Sequence, residues 1–384
     1  MVEISDVGDK PTVLSAFQFF RLFPDERAAE AHVENNRWQG KVTCPHCESE
    51  RTSRVKSRKP MPWRCRKCEK YFSVRTETIM ARSHIPILKW LTASYLLVTW
   101  RKGISSIQLS KCLGISQTSA WFLAHRIRLS FAVGDMLLGP EVEIDETYMG
   151  GKEKNKHARQ KAREGRGPVG KTAVLGMRER GGKVKAFPVP NTSKEYLQRL
   201  IKKHVRPGST IYTDEHRSYQ GLANAGYNHE SVNHKQGEYV RGAAHTNSLE
   251  SFWAVLKRAY HGTYHWFSPK HMASYVREFT GRLNLGEDTM SITNTLLQGM
   301  IGKQLTWKQL TQPALQLNHE DYTKDRSGTA GQPTLWQVQY VVKSLTNKWP
   351  GKIPPPPPMP RKERGKSDQD EPVFLKGIAP WLKD

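Results

Sequence analysis

Apolar residues recur at helical spacing through the first third of the chain and at alternate positions through its middle, so the sequence divides where the period changes. "SAFQFFRLFPDERAAEAHVENNRW" (15–38) reads as an aromatic-rich amphipathic helix or pair of helices, and 80–135 as a helical bundle. The longest apolar patch, "LTASYLLVTW" (91–100), is interrupted by Thr, Ser and Tyr. It falls short of the roughly 20 apolar residues of a membrane span and reads as a core helix. "ISSIQLSKCLGISQTSAWFLAHRIRLSF" (104–131) has a helix-turn-helix layout. Ser105 can cap a first helix running to about Leu113, Gly114 permits the turn, and Ser116 caps the second helix. Ile107, Leu109, Cys112, Leu113, Ile115, Ala120, Trp121 and Leu123 are its expected core, leaving Gln117, Thr118, Ser119, His125, Arg126 and Arg128 exposed.

From Glu141 the period becomes two. In "EVEIDETYMGG" (141–151) Val142 and Ile144 share one face while Glu143 and Asp145 share the other, predicting a strand with a carboxylate at its end before a glycine turn. Strands follow at 172–182 and 183–190 as a hairpin turning at Gly181-Gly182, then a helix over 192–205 capped by Thr192 or Ser193. "STIYTDEHRSYQGL" (209–222) repeats the first pattern, Asp214 ending a strand before a helix, and another strand is expected near 230–234. In "HTNSLESFWAVLKRAYHGTYHWF" (245–267), Leu249, Phe252, Trp253, Leu256 and Tyr260 make a buried helical stripe. Asn247, Glu250 and Lys257 line a different face, and the seven-residue step from Glu250 to Lys257 is close to two turns. Three strands, helix, strand, helix, strand, helix is the order of the ribonuclease-H-like fold, an α/β architecture with a mixed sheet flanked by helices.

The cysteines add a second kind of chemistry. "CPHC" (Cys44, Cys47) and "CRKC" (Cys65, Cys68) enclose 17 residues, a zinc-ribbon spacing. Four thiolates complete a closed tetrahedral site with no open position, so the Zn²⁺ is expected to be structural. His46, inside the first knuckle, is not needed as a ligand, and "YFSVRTET" (71–78) reads as the last ribbon strand. Cys112 stands apart and reads as a core thiol.

Charge decides the partner. Lys and Arg number 60 against 36 Asp and Glu, a net +24 that predicts a polyanion, nucleic acid being the commonest. Against that background the acids of 143–146 are conspicuous. Two aspartates at strand ends and one acid on a helix suit a pair of Mg²⁺ or Mn²⁺ ions about 3.5–4 Å apart, clamping the attacking and leaving oxygens of a phosphate. Asp145 is the expected ligand, Glu143 its support one step earlier on the same face, and Glu146, pointing the other way, a structural residue. The insert "KEKNKHARQKAREGRGPVGK" (152–171) reads as a basic loop that orders on phosphates.

The motifs "DETYMGGK" (145–152), "TDEHRSY" (213–219) and "HTNSLESFWAVLKR" (245–258), together with the cysteine ribbon, resemble the DDE-type insertion-sequence transposases of bacteria that carry an N-terminal zinc ribbon. The resemblance covers roughly 40–285. It implies that Asp145, Asp214 and Glu250 hold the catalytic metals and that Lys257 approaches the DNA end. In this group the third position is sometimes assigned to an asparagine, and Asn247 lies one turn before Glu250; the spacing favours Glu250. His245 can assist or cap its helix. Gln117, Thr118, Arg126, Arg128, Lys257 and Arg258 are the expected DNA contacts. The implied activity is binding of terminal inverted repeats in double-stranded DNA, metal-dependent end cleavage and joining to target DNA, by a homo-oligomer assembled on DNA. A nuclease that cuts without joining, or a zinc-ribbon regulator with decayed catalysis, are the rival readings. The expected parts are a helical segment (1–38), zinc ribbon (39–78), helix-turn-helix bundle (79–138), catalytic domain (139–285), C-terminal helical segment (286–350) and Pro-rich tail (351–384). With no signal peptide or membrane span in the sequence, the expected location is the cytoplasm, at the nucleoid.

Overall fold

The computed structural model describes residues 13–131, 136–151, 170–214, 216–232 and 246–312. The tail, His245 and all of the basic insert except Gly170 and Lys171 lie outside these residues. The aromatic N-terminal stretch forms two helices, α1 (Ala16–Leu22) and α2 (Glu26–Trp38). Ser15 caps the first in a reciprocal capping box with Gln18, and Asp25 caps the second through the Ala28 N–H. The ribbon is a three-stranded antiparallel sheet of β1 (Thr52–Arg54), β2 (Trp63–Cys65) and β3 (Tyr71–Phe72) in that order. Its last strand is thus shorter than the eight residues the sequence suggested, the chain leaving the sheet at Ser73.

Three helices follow: α3 (Ile87–Thr99), α4 (Ser106–Leu113) and α5 (Gln117–Arg128). The turn between the last two is built as the sequence predicts. Ser105 accepts from Gln108 N, Gly114 takes a left-handed conformation at φ 58°, and Ser116 accepts from Ser119 N. Two core assignments on α4 need correction: Ile107 is 60% exposed, and Cys112 is exposed rather than a core thiol. This short helix is sealed by Leu109 and Leu113 alone, one i, i+4 pair, and Ile107 projects about 200° around the axis from Leu109.

The second half is a five-stranded mixed sheet, order β6-β5-β4-β7-β8, from β4 (Glu141–Met149), β5 (Thr172–Glu179), β6 (Val184–Val189), β7 (Thr210–Asp214) and β8 (Asn228–Val232). The first three strands are antiparallel neighbours, while β7 and β8 add in parallel beyond β4. That arrangement is the ribonuclease-H-like sheet. The helix α6 (Lys194–His204), capped by Ser193, crosses between β6 and β7. After Asp214 the expected helix is replaced by two 3₁₀ turns, Arg217–Tyr219 and Ala223–Ala225, because Gly221 and Gly226 break the stretch at left-handed φ. Then come α7 (Asn247–Ala259), which passes into a π turn at Tyr260–Tyr264, and α8 (Met272–Asn284).

Alternation along the strands builds two cores. Val142, Ile144, Leu175, Met177 and Ile211 pack with Leu197 and Ile201 of α6, whereas Val174 and Val184 pack with Leu249, Phe252, Trp253 and Leu256 of α7. The chain then returns. Ile292, Leu296 and Leu297 of α9 (Thr289–Gln298) join the core of α2, α3 and α5, and His32 Nε2 lies 2.8 Å from Asn294 Oδ1. A last short helix, α10 (Trp307–Thr311), sets Trp307 against Trp121 and Phe122. No helix of the described residues is long and apolar enough to cross a membrane.

Candidate functional site

The two aspartates reach one end of the sheet by register. The last parallel pair between β4 and β7 is Glu143 with Tyr212, and two residues further along each strand stand Asp145 and Asp214. The expectation that Asp145 ends its strand holds only on that side. Its antiparallel pairing to β5 continues to Met149, with Asp145 opposite Gly176, so the parallel ladder stops short of Asp145 while the antiparallel one carries it.

Asp145 is tightly held. Its Oδ2 accepts the Trp253 indole N–H at 2.9 Å, and its Oδ1 accepts the Glu146 backbone N–H at 2.9 Å. Burial, then the neighbouring Glu146 and Asp214, push its carboxyl from 3.8 up to about 7 against those two donors. Asp214 Oδ1 accepts the His216 backbone N–H at 3.0 Å. Glu146 lies on the opposite face of β4, as alternation requires, yet it belongs to the same acidic field. Its Oε2 accepts from the Tyr219 hydroxyl, its Oε1 is 3.6 Å from His216 Nδ1, and burial raises its pKa. Asp214 thus raises both Asp145 and Glu146, and Glu146 raises Asp145 further.

Glu143 is fully buried and turns to the helix instead. Its Oε2 accepts from Ser248 N at 3.1 Å, Ser248 Oγ at 2.5 Å and Leu249 N at 3.1 Å. The first turn of α7 presents Asn247 and Glu250, both exposed; Lys257 and Arg258 stand exposed in its last turn. The predicted stripe Leu249, Phe252, Trp253, Leu256 and Tyr260 is buried throughout. What pattern reading missed is the second use of Trp253, Tyr219 and Gly176. A buried indole or phenol needs a polar partner, which was the available signal. A Cβ on Gly176 would lie 2.5 Å from Trp253 Cζ2, so the glycine is what admits the indole.

The cysteine site is compact. Cys44 and Cys68 sulfurs are 3.6 Å apart, as are Cys47 and Cys65, and all four lie within 4.8 Å. Tetrahedral Zn–S bonds of about 2.3 Å give S–S edges of about 3.8 Å, so the four sulfurs fit a zinc ion. Among the described residues this is the one group of three or more His, Cys, Asp or Glu ligand atoms that close together. His46 turns away to Glu77, at 3.3 Å.

The helix-turn-helix surface is smaller than pattern suggested. Gln117 and Thr118 are exposed at the start of α5, but His125, Arg126 and Arg128 are 1%, 7% and 2% exposed. Arg126 donates to Ala81 O at 2.6 Å between the Trp90 and Phe122 rings. Arg128 donates from Nε to the buried Glu278 at 2.7 Å, and His125 Nδ1 is 3.1 Å from Ser274 Oγ. These three residues were expected on the DNA face; α8 covers His125 and Arg128, while Ala81 and the Trp90 ring of α3 enclose Arg126, and these partners are too distant in sequence for periodicity to reveal.

Residues 136–284 match the ISXO2-like transposase domain, and residues 24–71 match the transposase zinc-ribbon domain. A protein in transposable element ISH50 of Halobacterium salinarum is 29% identical over 271 residues, 67% of this chain and 91% of that protein. A transposase-like protein of Haemophilus influenzae is 29% identical over 121 residues, 31% of this chain and 97% of its own. Among solved structures, the Mos1 strand transfer complex aligns at a TM-score of 0.24 and 13% identity, covering 54% of this chain and 73% of that one. The Mos1 paired-end complex with the left transposon end gives 0.23 and 13%, covering 55% and 74%.

Proposed function

We propose that this chain, which joins a transposase zinc ribbon to an ISXO2-like transposase domain, binds the ends of its mobile element and cuts and rejoins DNA there. The observation that carries the reading is that Asp145 and Asp214 stand at the same end of neighbouring parallel strands, each two residues past the last pair, and that Trp253 of α7 grips the first of them. A carboxyl kept near neutrality by burial and neighbouring acids is a hard oxygen donor that a divalent cation would ionise. Asp145, Asp214 and Glu250, with Asn247 as the rival third ligand, would hold Mg²⁺ or Mn²⁺. Such ions, when bound, lower the pKa of an attacking water or hydroxyl and neutralise charge on the phosphate.

The remaining groups position. Trp253 and the Glu146 amide fix the two Asp145 oxygens, each of which keeps a lone pair. Lys257 and Arg258 face DNA phosphates, and Gln117 and Thr118 at the start of α5 read a groove, as recognition helices do with their N-terminal residues. The four cysteines would hold Zn²⁺ as thiolates, and the ion would keep the ribbon folded. The test uses labelled element ends with purified protein and Mn²⁺. Cleavage and strand-transfer products are expected, with both lost in Asp145→Ala and Asp214→Ala while end binding persists. Cleavage without joining would favour the nuclease reading, and end binding without either product the regulator.

A further inference from the structure

Among the described residues, helix α7 has no cap from the segment before it. Thr246, the residue before it, contributes no side-chain hydrogen bond, so among the described residues no neighbour in sequence accepts from the N–H groups of Ser248 and Leu249. These are the second and third helical positions, the ones an N-cap oxygen normally serves. Here the oxygen comes from the sheet, through Glu143 Oε2 at 3.1 Å from each. Ser248 is held at every polar atom: its N–H and hydroxyl by Glu143, and its carbonyl by Arg178 Nη1 of β5 at 2.7 Å. The Glu143 carboxylate is completely buried, with Arg180 Nε 3.5 Å from its other oxygen. A buried anion facing the positive end of a helix dipole and a guanidinium is stabilised where an unpaired one would not be.

This geometry does more than close a helix end. An ordinary cap would tie α7 to the segment before it. Glu143 instead ties it to β4, two residues from Asp145, so the height and rotation of the first turn are set against the strand that carries the first acid. We propose that Glu143 is a positioning residue, fixing Asn247 and Glu250 of α7 relative to Asp145. The inference rests on the reading of these acids as a metal-dependent DNA-cutting site.

The test takes the full chain with Glu143→Gln, which keeps the shape and removes the charge. In metal-free protein the amides of 247–252 should exchange hydrogen faster than in the wild type, while those of 141–149 keep their protection. Titration with Mn²⁺ should show affinity reduced roughly 10- to 100-fold, the usual cost of removing a group that orients a ligand. End cleavage should fall in kcat with the KM for DNA unchanged. The discriminating arm combines Glu143→Gln with Glu250→Gln or with Asn247→Ala. In whichever background removes the true third ligand, Glu143→Gln should cost no further Mn²⁺ affinity, a non-additivity that a merely structural role would not give. Full additivity in both backgrounds overturns the inference, as does Mn²⁺ binding that Asp145→Ala abolishes and Glu143→Gln leaves unchanged. A wild-type protein that binds no Mn²⁺ overturns the proposed function and the inference with it. If Glu143→Gln does not fold, Ser248→Ala removes one of the three donors; a several-fold loss in the same titration is expected, and no loss overturns the inference.

Discussion

Trp253 donates its indole N–H to Asp145 Oδ2 at 2.9 Å, so the largest residue of the α7 core stripe is also a ligand of the first acid. The bond favours the ionised carboxylate, and it works against burial and two neighbouring acids that hold the group at about 7. An Asp whose pKa is raised in the fold keeps a proton that the unfolded chain has lost, so the stability tied to that proton is full below about 3.8 and gone above about 7. Metal uptake in that window must displace the proton. Mn²⁺ affinity should therefore rise with pH and level off above about 7. Trp253→Phe keeps the ring and removes the donor, so the midpoint should move upward by on the order of one unit. Calorimetric Mn²⁺ titrations across pH 5.5 to 8.5, about three units centred on the expected midpoint, check this. An unmoved midpoint would show that the indole has no hold on Asp145.

Gly176, opposite Asp145 on β5, makes that contact possible. A Cβ there would lie 2.5 Å from Trp253 Cζ2 and 3.1 Å from Leu249 Cδ2, within a packed core that cannot give way. Gly176→Ala should cost about 1–3 kcal/mol in denaturant unfolding and push the indole off Asp145. The accompanying mark is a change in tryptophan emission together with the upward pH shift expected of Trp253→Phe. Wild-type stability in Gly176→Ala would mean that α7 can lift from the sheet at little cost.

Purified without chelator, the protein should carry one zinc per chain, and Cys65→Ser should lose it. Structural zinc sites contribute on the order of 10 kcal/mol of folding free energy, enough to hold three short strands that bury little else. Because α9 packs into the same core as α2 and α3, its amides should lose protection with the ribbon, while β4 and β5 retain theirs. Metal analysis and hydrogen exchange read both effects. A zinc-free wild-type protein with a protected ribbon would refute the assignment.

Much of this was legible because it depends on local pattern. The period change at Glu141, the capping serines Ser105, Ser116 and Ser193, and the cysteine spacing each act within a few residues, and each formed as read. The α7 stripe was equally visible, since five apolar residues at helical spacing leave one way to face the sheet. What stayed hidden depends on partners far along the chain. Arg128 looks like a DNA contact until Glu278, 150 residues later, is placed against it. Glu143 looked like an adjunct to Asp145, but its donors are 105 and 106 residues away on α7. Glu146 points to the other face of β4, and alternation alone does not show that Tyr219 and His216 gather there. The return of α9 to the N-terminal core left no periodic trace at all.

The buried arginine separates stability from DNA binding. Arg128 and Glu278 are 2% and 0% exposed, and Arg282 shares the same carboxylate. Glu278 would remain buried after Arg128→Ala with one guanidinium fewer, and breaking such a pair from one side costs about 3–5 kcal/mol. Arg128→Ala should therefore lower the unfolding midpoint strongly, with any loss of DNA binding following the loss of fold. Gln117→Ala and Thr118→Ala touch exposed positions at the start of α5 and should leave stability within about 0.5 kcal/mol. They should weaken binding to element ends more than to unrelated DNA, since groove contacts carry sequence and phosphate contacts do not. Denaturant unfolding beside a binding comparison on the two DNAs checks both halves. If Arg128→Ala folds normally and loses end binding alone, Arg128 reaches DNA after all and the Glu278 pair opens when the complex forms.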